Sequence, residues 1–182
     1  RIARLTPIAR DARWERVPVD AQRDLKLAIL DVLMGRAPRN LWLHGVPGAG
    51  KTTAVRAAVD EATAQGAAAL YLPMLDLVAE TRNGYAFDDS RARAHAMWTT
   101  ARDVQFLAID DLTAAMRAGA DDLRGKLQEL LDARERLRVP TVVADNTSLI
   151  GLRAAGYDER LCSRFGAFAT LDFGRVDHRR QS

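Results

Sequence analysis

A single cysteine, Cys162, is all the sulfhydryl chemistry this chain holds, so no disulfide can form within it and stability must come from packing. Apolar residues never run unbroken for the roughly 18 positions that a membrane-spanning helix needs, and the Arg-rich start has no apolar stretch of the signal-peptide kind. The expected location is therefore the cytoplasm, with no membrane partner. Charge of either sign is not in large excess: 27 basic against 24 acidic residues leave a formal net charge of +3, which permits contact with nucleic acid without being a basic arm. Lysine is the scarcest cation, found only at Lys26, Lys51 and Lys126 among 27 Lys and Arg, so where lysine does stand in place of arginine the choice carries meaning.

What the 182 residues do contain suits one domain with a buried core: 48% are hydrophobic and 28% charged. The chain opens at Arg1 without an initiator Met, which leaves room for an N-terminal partner-binding domain outside this sequence. Residues 1–20 read as an extended lead-in, with Pro7 and Pro18 and with Ile8 or Trp14 as anchors, ahead of a domain over 21–182.

Apolar residues at helical spacing predict a helix over Ala21–Met34 with Gly35 as its stop, and a short strand follows at Leu41–His44. A helix to about Gln65 and a strand at Ala68–Leu72 come next. Helical segments over Leu75–Thr81 and Ser90–Arg102 flank the turn signal Asn83-Gly84, ahead of a strand at Val104–Ile109. A long helix over Asp121–Leu137 precedes a strand at Thr141–Ala144. Helical pieces over Ser148–Ala155 and Asp158–Phe165 lead to a last strand at Phe168–Asp172. Strands alternating with helices predict a three-layer αβα sandwich around a mostly parallel five-stranded sheet.

One segment dominates the chemistry. Gly45-Val46-Pro47-Gly48-Ala49-Gly50-Lys51-Thr52 fits G-x-x-x-x-G-K-[ST], sits between a strand and a helix, and holds one of the three lysines. Glycines let the backbone curl so that successive amides face a phosphate chain, and the helix after them adds its positive end. In that arrangement Lys51 reaches the β- and γ-phosphates of ATP, Thr52 ligates Mg²⁺, and Thr53 completes the nucleotide-binding set.

Phe106-Leu107-Ala108-Ile109-Asp110-Asp111 is an apolar strand ending in two carboxylates. After such a loop, Asp110 is the expected metal-side carboxylate and Asp111 the group that activates or orients water. At the end of the next apolar strand, Asn146 either bonds the γ-phosphate or the lytic water, or merely starts a turn. Arg160 and Arg164 lie four apart on one helical face, as a phosphate-sensing pair or as a surface helix with an ion pair to Glu159.

The order of these four segments resembles the Walker A, Walker B, sensor 1 and arginine-finger boxes of AAA+ proteins. The likeness is to the DnaC and IstB class of helicase loaders and transposition ATPases, with DnaA initiators as relatives. The resemblance implies a P-loop sheet of order 5-1-4-3-2 without a helical lid domain, and ATP hydrolysis that is slow and partner-stimulated. It implies Asn146 as sensor 1, Arg164 acting in trans within an ATP-dependent homo-oligomer, and Arg179 near the nucleotide. The implied partners are a replicative helicase, or a transposase, and single-stranded DNA. Ala144-Asp145-Asn146 departs from the Thr-Ser-Asn of the loaders, and the extra carboxylate is expected to oppose anions nearby. A small P-loop metabolite or nucleotide kinase is the rival reading. The sequence weighs against a GTPase, because Asp110-Asp111-Leu112-Thr113 lacks the switch glycine and no N-K-x-D occurs.

Overall fold

The computed structural model describes residues 14–36, 39–118 and 121–174. Three strands are buried along nearly their whole length: β1 (Leu41–His44), β3 (Phe106–Asp110) and β4 (Thr141–Asp145). Apolar side chains on both faces are what a sheet covered by helices on both sides requires. β2 (Ala69–Pro73) lies outside β3, and β5 (Ala169–Asp172), mostly exposed, forms the edge beside β1. Every pairing is parallel and the order is β2-β3-β4-β1-β5, which is the order 5-1-4-3-2 counted from the other edge.

Alternation along each strand divides the core in two. Leu41, Leu43, Tyr71, Phe106, Ala108, Val142 and Ala144 face α1 (Val19–Leu33) and α2 (Lys51–Ala64), meeting Leu25, Ile29, Val55 and Val59. Trp42, Leu72, Leu107, Ile109 and Val143 face the opposite layer. That layer is built from α3 (Met74–Asn83), α4 (Asp88–Asp103), α5 (Leu112–Ala118), α6 (Asp121–Leu137) and α7 (Glu159–Phe165). Trp42 anchors it: the indole donates to the Thr147 carbonyl at 2.8 Å, and the ring meets Phe165 edge-on at a centroid distance of 4.9 Å.

Most boundaries follow the sequence reading to within two residues, and the differences include an earlier α1, an unforeseen α5 and a shorter helical piece after β4. α1 starts at Val19, two residues early, directly after Pro18, whose fixed φ suits a helix entry. α5, absent from the reading, begins straight after the paired carboxylates, because the Asp111 carbonyl accepts the first helical bond from Ala115 at 3.2 Å. The segment expected to be helical over Ser148–Ala155 is a 3-10 turn at Leu149–Gly151 followed by further turns. Trp14 packs against the α1–α2 layer as expected of an anchor, with the Lys26 ammonium 5.1 Å from its ring centroid. Ile8 lies outside the described residues.

Among the described residues no helix is long and apolar enough to cross a membrane. Cys162 is a half-buried thiol near the Tyr157 carbonyl, at 3.8 Å, and burial pushes its pKa up, which fits a packed rather than a reactive group.

Candidate active site

Because all five strands run the same way, the residues that follow β1, β3 and β4 emerge at one edge of the sheet, where open α/β folds bind ligands. The loop after β1 turns through Gly45, Gly48 and Gly50, all with positive φ. Gly50, at φ 92°, hands the chain into α2 from the left-handed region, which a side chain would strain. At Gly45 a Cβ would stand 3.0 Å from the Gly174 carbonyl oxygen and 3.1 Å from the Phe173 Cβ, so only glycine fits against the segment leaving β5. Val46 strengthens that contact by donating its amide to Gly174 at 3.3 Å. Between them Pro47 is exposed, while Ala49 is buried and donates its amide to the Val46 carbonyl at 3.2 Å.

The first turn of α2 carries no acidic residue and no side-chain cap, so its amides keep the positive end of the helix available to an anion. Lys51 opens that turn. Its ammonium donates to the carbonyls of Gly45 (2.8 Å) and Val46 (2.9 Å) and to Asn146 Oδ1 (2.8 Å). The structure therefore joins the loop lysine to the residue at the end of β4 across 95 positions of sequence. The Thr52 hydroxyl, beside it, lies near enough to Asp110 to favour the ionised carboxylate, and Thr53 is half-buried in the same turn.

Asp110, only 4% exposed, has Oδ2 accepting from the Tyr71 hydroxyl at 2.6 Å. Burial pushes its carboxyl above the ordinary carboxylate range and the neighbouring Asp111 adds to that, while the Tyr71 and Thr52 hydroxyls and Arg56 oppose it. Asp111 is exposed at φ 55°, a conformation that aspartate tolerates better than most residues, and its amide donates to the Ala144 carbonyl at 3.1 Å. The two carboxylates thus differ in setting, one enclosed by hydroxyls and one open to solvent.

Asp145, expected from the sequence to oppose anions beside Asn146, has both of its oxygens engaged by the backbone. Its carboxylate is buried and spent: Oδ2 accepts the Thr113 amide at 2.6 Å and Oδ1 the Thr147 amide at 2.7 Å. It ties the start of α5 to the end of β4 and leaves Asn146 facing Lys51.

Arg164 is not brought to this cluster. It bonds Asp132 and, at 2.5 Å, Glu135, both on α6. It lines a groove with Asn40, Thr141 and Phe168, which stand where β1, β4 and β5 begin. The lysine cluster stands where strands end, so a strand of five residues, about 16 Å, separates the two edges. Arg160 shares the face of Arg164, reaching Asp132 at 3.8 Å, and Glu159 pairs with Arg153 instead. Arg179 lies outside the described residues.

A hydroxyl and a buried carboxylate are the hard oxygen donors that Mg²⁺ prefers, so Thr52 and Asp110 fit that ion. No group of three or more His, Cys, Asp or Glu among the described residues could hold a metal alone, so the remaining ligands would be water and phosphate oxygens. Sequence reasoning missed Tyr71 and Arg56. Arg56 stands one helical turn after Thr52, and that spacing was the one available signal.

Among the solved structures that share this fold are the following three. DnaI matches with a TM-score of 0.70 and 20% identity over 88% of this chain and 84% of its own. A putative primosome component from Streptococcus pyogenes matches at 0.64 and 20%, covering 90% and 85%. Replication initiator DnaA bound to AMPPCP and single-stranded DNA matches at 0.69 and 19%, covering 82% of this chain and 44% of the initiator, so the chain spans about half the length of that relative. No curated protein is a significant match. The sequence pattern of the AAA ATPase domain matches residues 20–146, more than half of the chain and the whole run from α1 to Asn146, and the protein belongs to that family.

Proposed function

We propose that the chain binds ATP with Mg²⁺ at Gly45–Thr52, hydrolyses it, and serves as an assembly factor of the DnaC type that acts on a replicative helicase with single-stranded DNA. The observation that carries this reading is the meeting of Lys51 with Asn146 beside the Thr52–Asp110 pair. In the proposed reaction Lys51 exchanges its loop carbonyls for the β- and γ-phosphates. Thr52 and Asp110 would hold the metal side, and Mg²⁺ bound there would supply charge neutralisation during phosphoryl transfer. Asp111, solvent-facing at the strand end, would accept a proton from the attacking water or orient it, and Asn146 would position that water or the γ-phosphate. Gly45, Val46, Pro47, Gly48, Ala49, Gly50 and Thr53 complete the cradle.

A site at the ends of the strands and an arginine at their beginnings suit contact between successive copies, in which Arg164 of one serves the nucleotide of the next. For the nucleic acid, a cavity of about 710 Å³ between α4 and α6 offers Arg91, Arg102, Lys126 and Arg136 around Trp98. The resemblance to loaders, the DnaI and primosome-component folds, and the DNA-bound DnaA neighbour support a replication role over transposition.

Phosphate release is the test. Wild type should turn over faster at concentrations where ATP drives assembly, and faster again with single-stranded DNA or helicase. Arg164→Ala should lose that acceleration while binding nucleotide normally, by up to about 10³-fold. A monomer with full turnover, indifferent to both Arg164→Ala and DNA, would end the loader reading, and phosphorylation of a small-molecule acceptor would replace it with a kinase.

A further inference from the structure

Behind the paired Thr52 and Asp110 stands a second layer that the ATPase chemistry above does not use. Thr52 and Arg56 are one turn apart on α2 and so share a face. Tyr71 pairs in register with Ala108, two residues before Asp110, so Tyr71 and Asp110 project from the same face of adjacent parallel strands, toward α2. The Arg56 guanidinium lies over the Tyr71 ring, 4.5 Å from its centroid, and donates to the Tyr71 oxygen at 3.3 Å. The Tyr71 hydroxyl in turn donates to Asp110 Oδ2 at 2.6 Å. Donors therefore run in one direction, from guanidinium to phenol to carboxylate.

A phenol has a single proton, and accepting from Arg56 leaves it free to give that proton to Asp110. Both Tyr71 and Asp110 are nearly fully buried, at 6% and 4% exposure, so water does not compete for this bond. The Thr52 hydroxyl also lies near this carboxylate and favours its ionised form, while Tyr71 supplies the hydrogen bond that holds it. That bond restrains rotation of the Asp110 carboxylate about Cβ.

We propose that Tyr71, held by Arg56, is a positioning residue that presets the Asp110 carboxylate for the metal side of the nucleotide site, so that part of the Mg²⁺ preference of this protein is built into β2 and α2. Tyr71 touches neither nucleotide nor metal in this scheme. Removing its hydroxyl frees a buried carboxylate to turn, and the loss falls on the metal-dependent share of nucleotide binding.

The proposal rests on the ATP-site reading, and the test separates the two. Affinity for a fluorescent ATP analogue is measured by titration in EDTA and across a series of Mg²⁺ concentrations, for wild type, Tyr71→Phe, Arg56→Gln, Asp110→Asn and Tyr71→Phe with Asp110→Asn. Tyr71→Phe keeps the ring over which Arg56 lies, so the fold and the EDTA affinity should match wild type while the Mg²⁺ needed for half-maximal tightening rises about 5- to 10-fold. Arg56→Gln should move in the same direction by less. In the Asp110→Asn background Tyr71→Phe should add nothing, which a general packing defect would not reproduce. Nucleotide binding by wild type with an unchanged Mg²⁺ midpoint in Tyr71→Phe, or equal losses with and without metal, would overturn this inference alone. No binding by wild type under any condition would remove the ATP-site reading on which it stands.

Discussion

Asp145 offers the sharpest structural prediction, because its carboxylate accepts two backbone amides at 2.6 and 2.7 Å while being almost completely buried. A hydrogen bond to a charged acceptor contributes about 1.5–3 kcal/mol, and a buried amide left without one costs about as much. The Thr113 amide lies in a buried residue and would find no substitute, whereas Thr147 is partly exposed and water can recover some of its loss. Asp145→Ala should therefore destabilise by about 3–5 kcal/mol. Asp145→Asn keeps one acceptor but turns an NH₂ toward the other amide, for a loss of about 2 kcal/mol. With a urea m-value of about 2.5 kcal/mol/M, the midpoint should fall by about 1–2 M for alanine and under about 1 M for asparagine. Equilibrium urea unfolding followed by far-UV circular dichroism and by tryptophan fluorescence gives both numbers and checks that the transition has two states. An alanine variant within about 0.3 M of wild type, or an asparagine variant less stable than the alanine, would refute the clamp.

Three further outcomes follow from the same structure. Arg134, fully buried, donates to the carbonyls of Ala101, Arg102, Val104 and Pro140 and to the Thr141 hydroxyl. Arg134→Met should thus cost roughly 3–5 kcal/mol and lower the melting temperature by about 10 °C in differential scanning fluorimetry. Burial first of all raises the Asp110 carboxyl above its ordinary 3.8, so as pH falls the native state takes up this proton before the unfolded state does. Wild type then gains stability relative to Asp110→Asn in the window just above 3.8, and a wild type that loses stability relative to Asp110→Asn on acidification would contradict the sign. Arg164→Ala breaks ion pairs that are partly exposed, so it should change folding stability by less than about 1 kcal/mol in thermal melts.

Local chemistry made part of this molecule readable in advance. The phosphate loop was legible because each of its positions answers a backbone or charge requirement met within eight residues, and the strands were legible as short apolar runs. Which strands lie side by side was not in the periodicity and came with the family resemblance, since alternation says which face is buried and not who the neighbour is. α5 went unread because its seven residues follow two carboxylates that resemble a turn, and the clamp that starts it, Asp145, lies on another strand. Tyr71 read as one more core aromatic in an apolar strand, and Arg134 as one more arginine on a charged helix. Tyr71 reaches Asp110 39 positions on, and Arg134 joins carbonyls 30 or more positions back to Pro140 and Thr141 just after its own helix, combinations that no local pattern announces. Arg164 was expected to serve a neighbouring copy's nucleotide, and that expectation does not say where it sits within its own chain; its place where the strands begin is a fact of three dimensions only.

The central claim is that the amides of Gly45–Thr52 and the ammonium of Lys51 form a seat for a triphosphate. Isothermal titration calorimetry of the purified chain with ATP and Mg²⁺ tests it directly, set beside Lys51→Ala. Saturable heat at micromolar nucleotide for wild type, lost in Lys51→Ala while its melting temperature stays near that of wild type, is the predicted result. No heat from wild type at millimolar ATP, or equal binding by both proteins, would contradict the account.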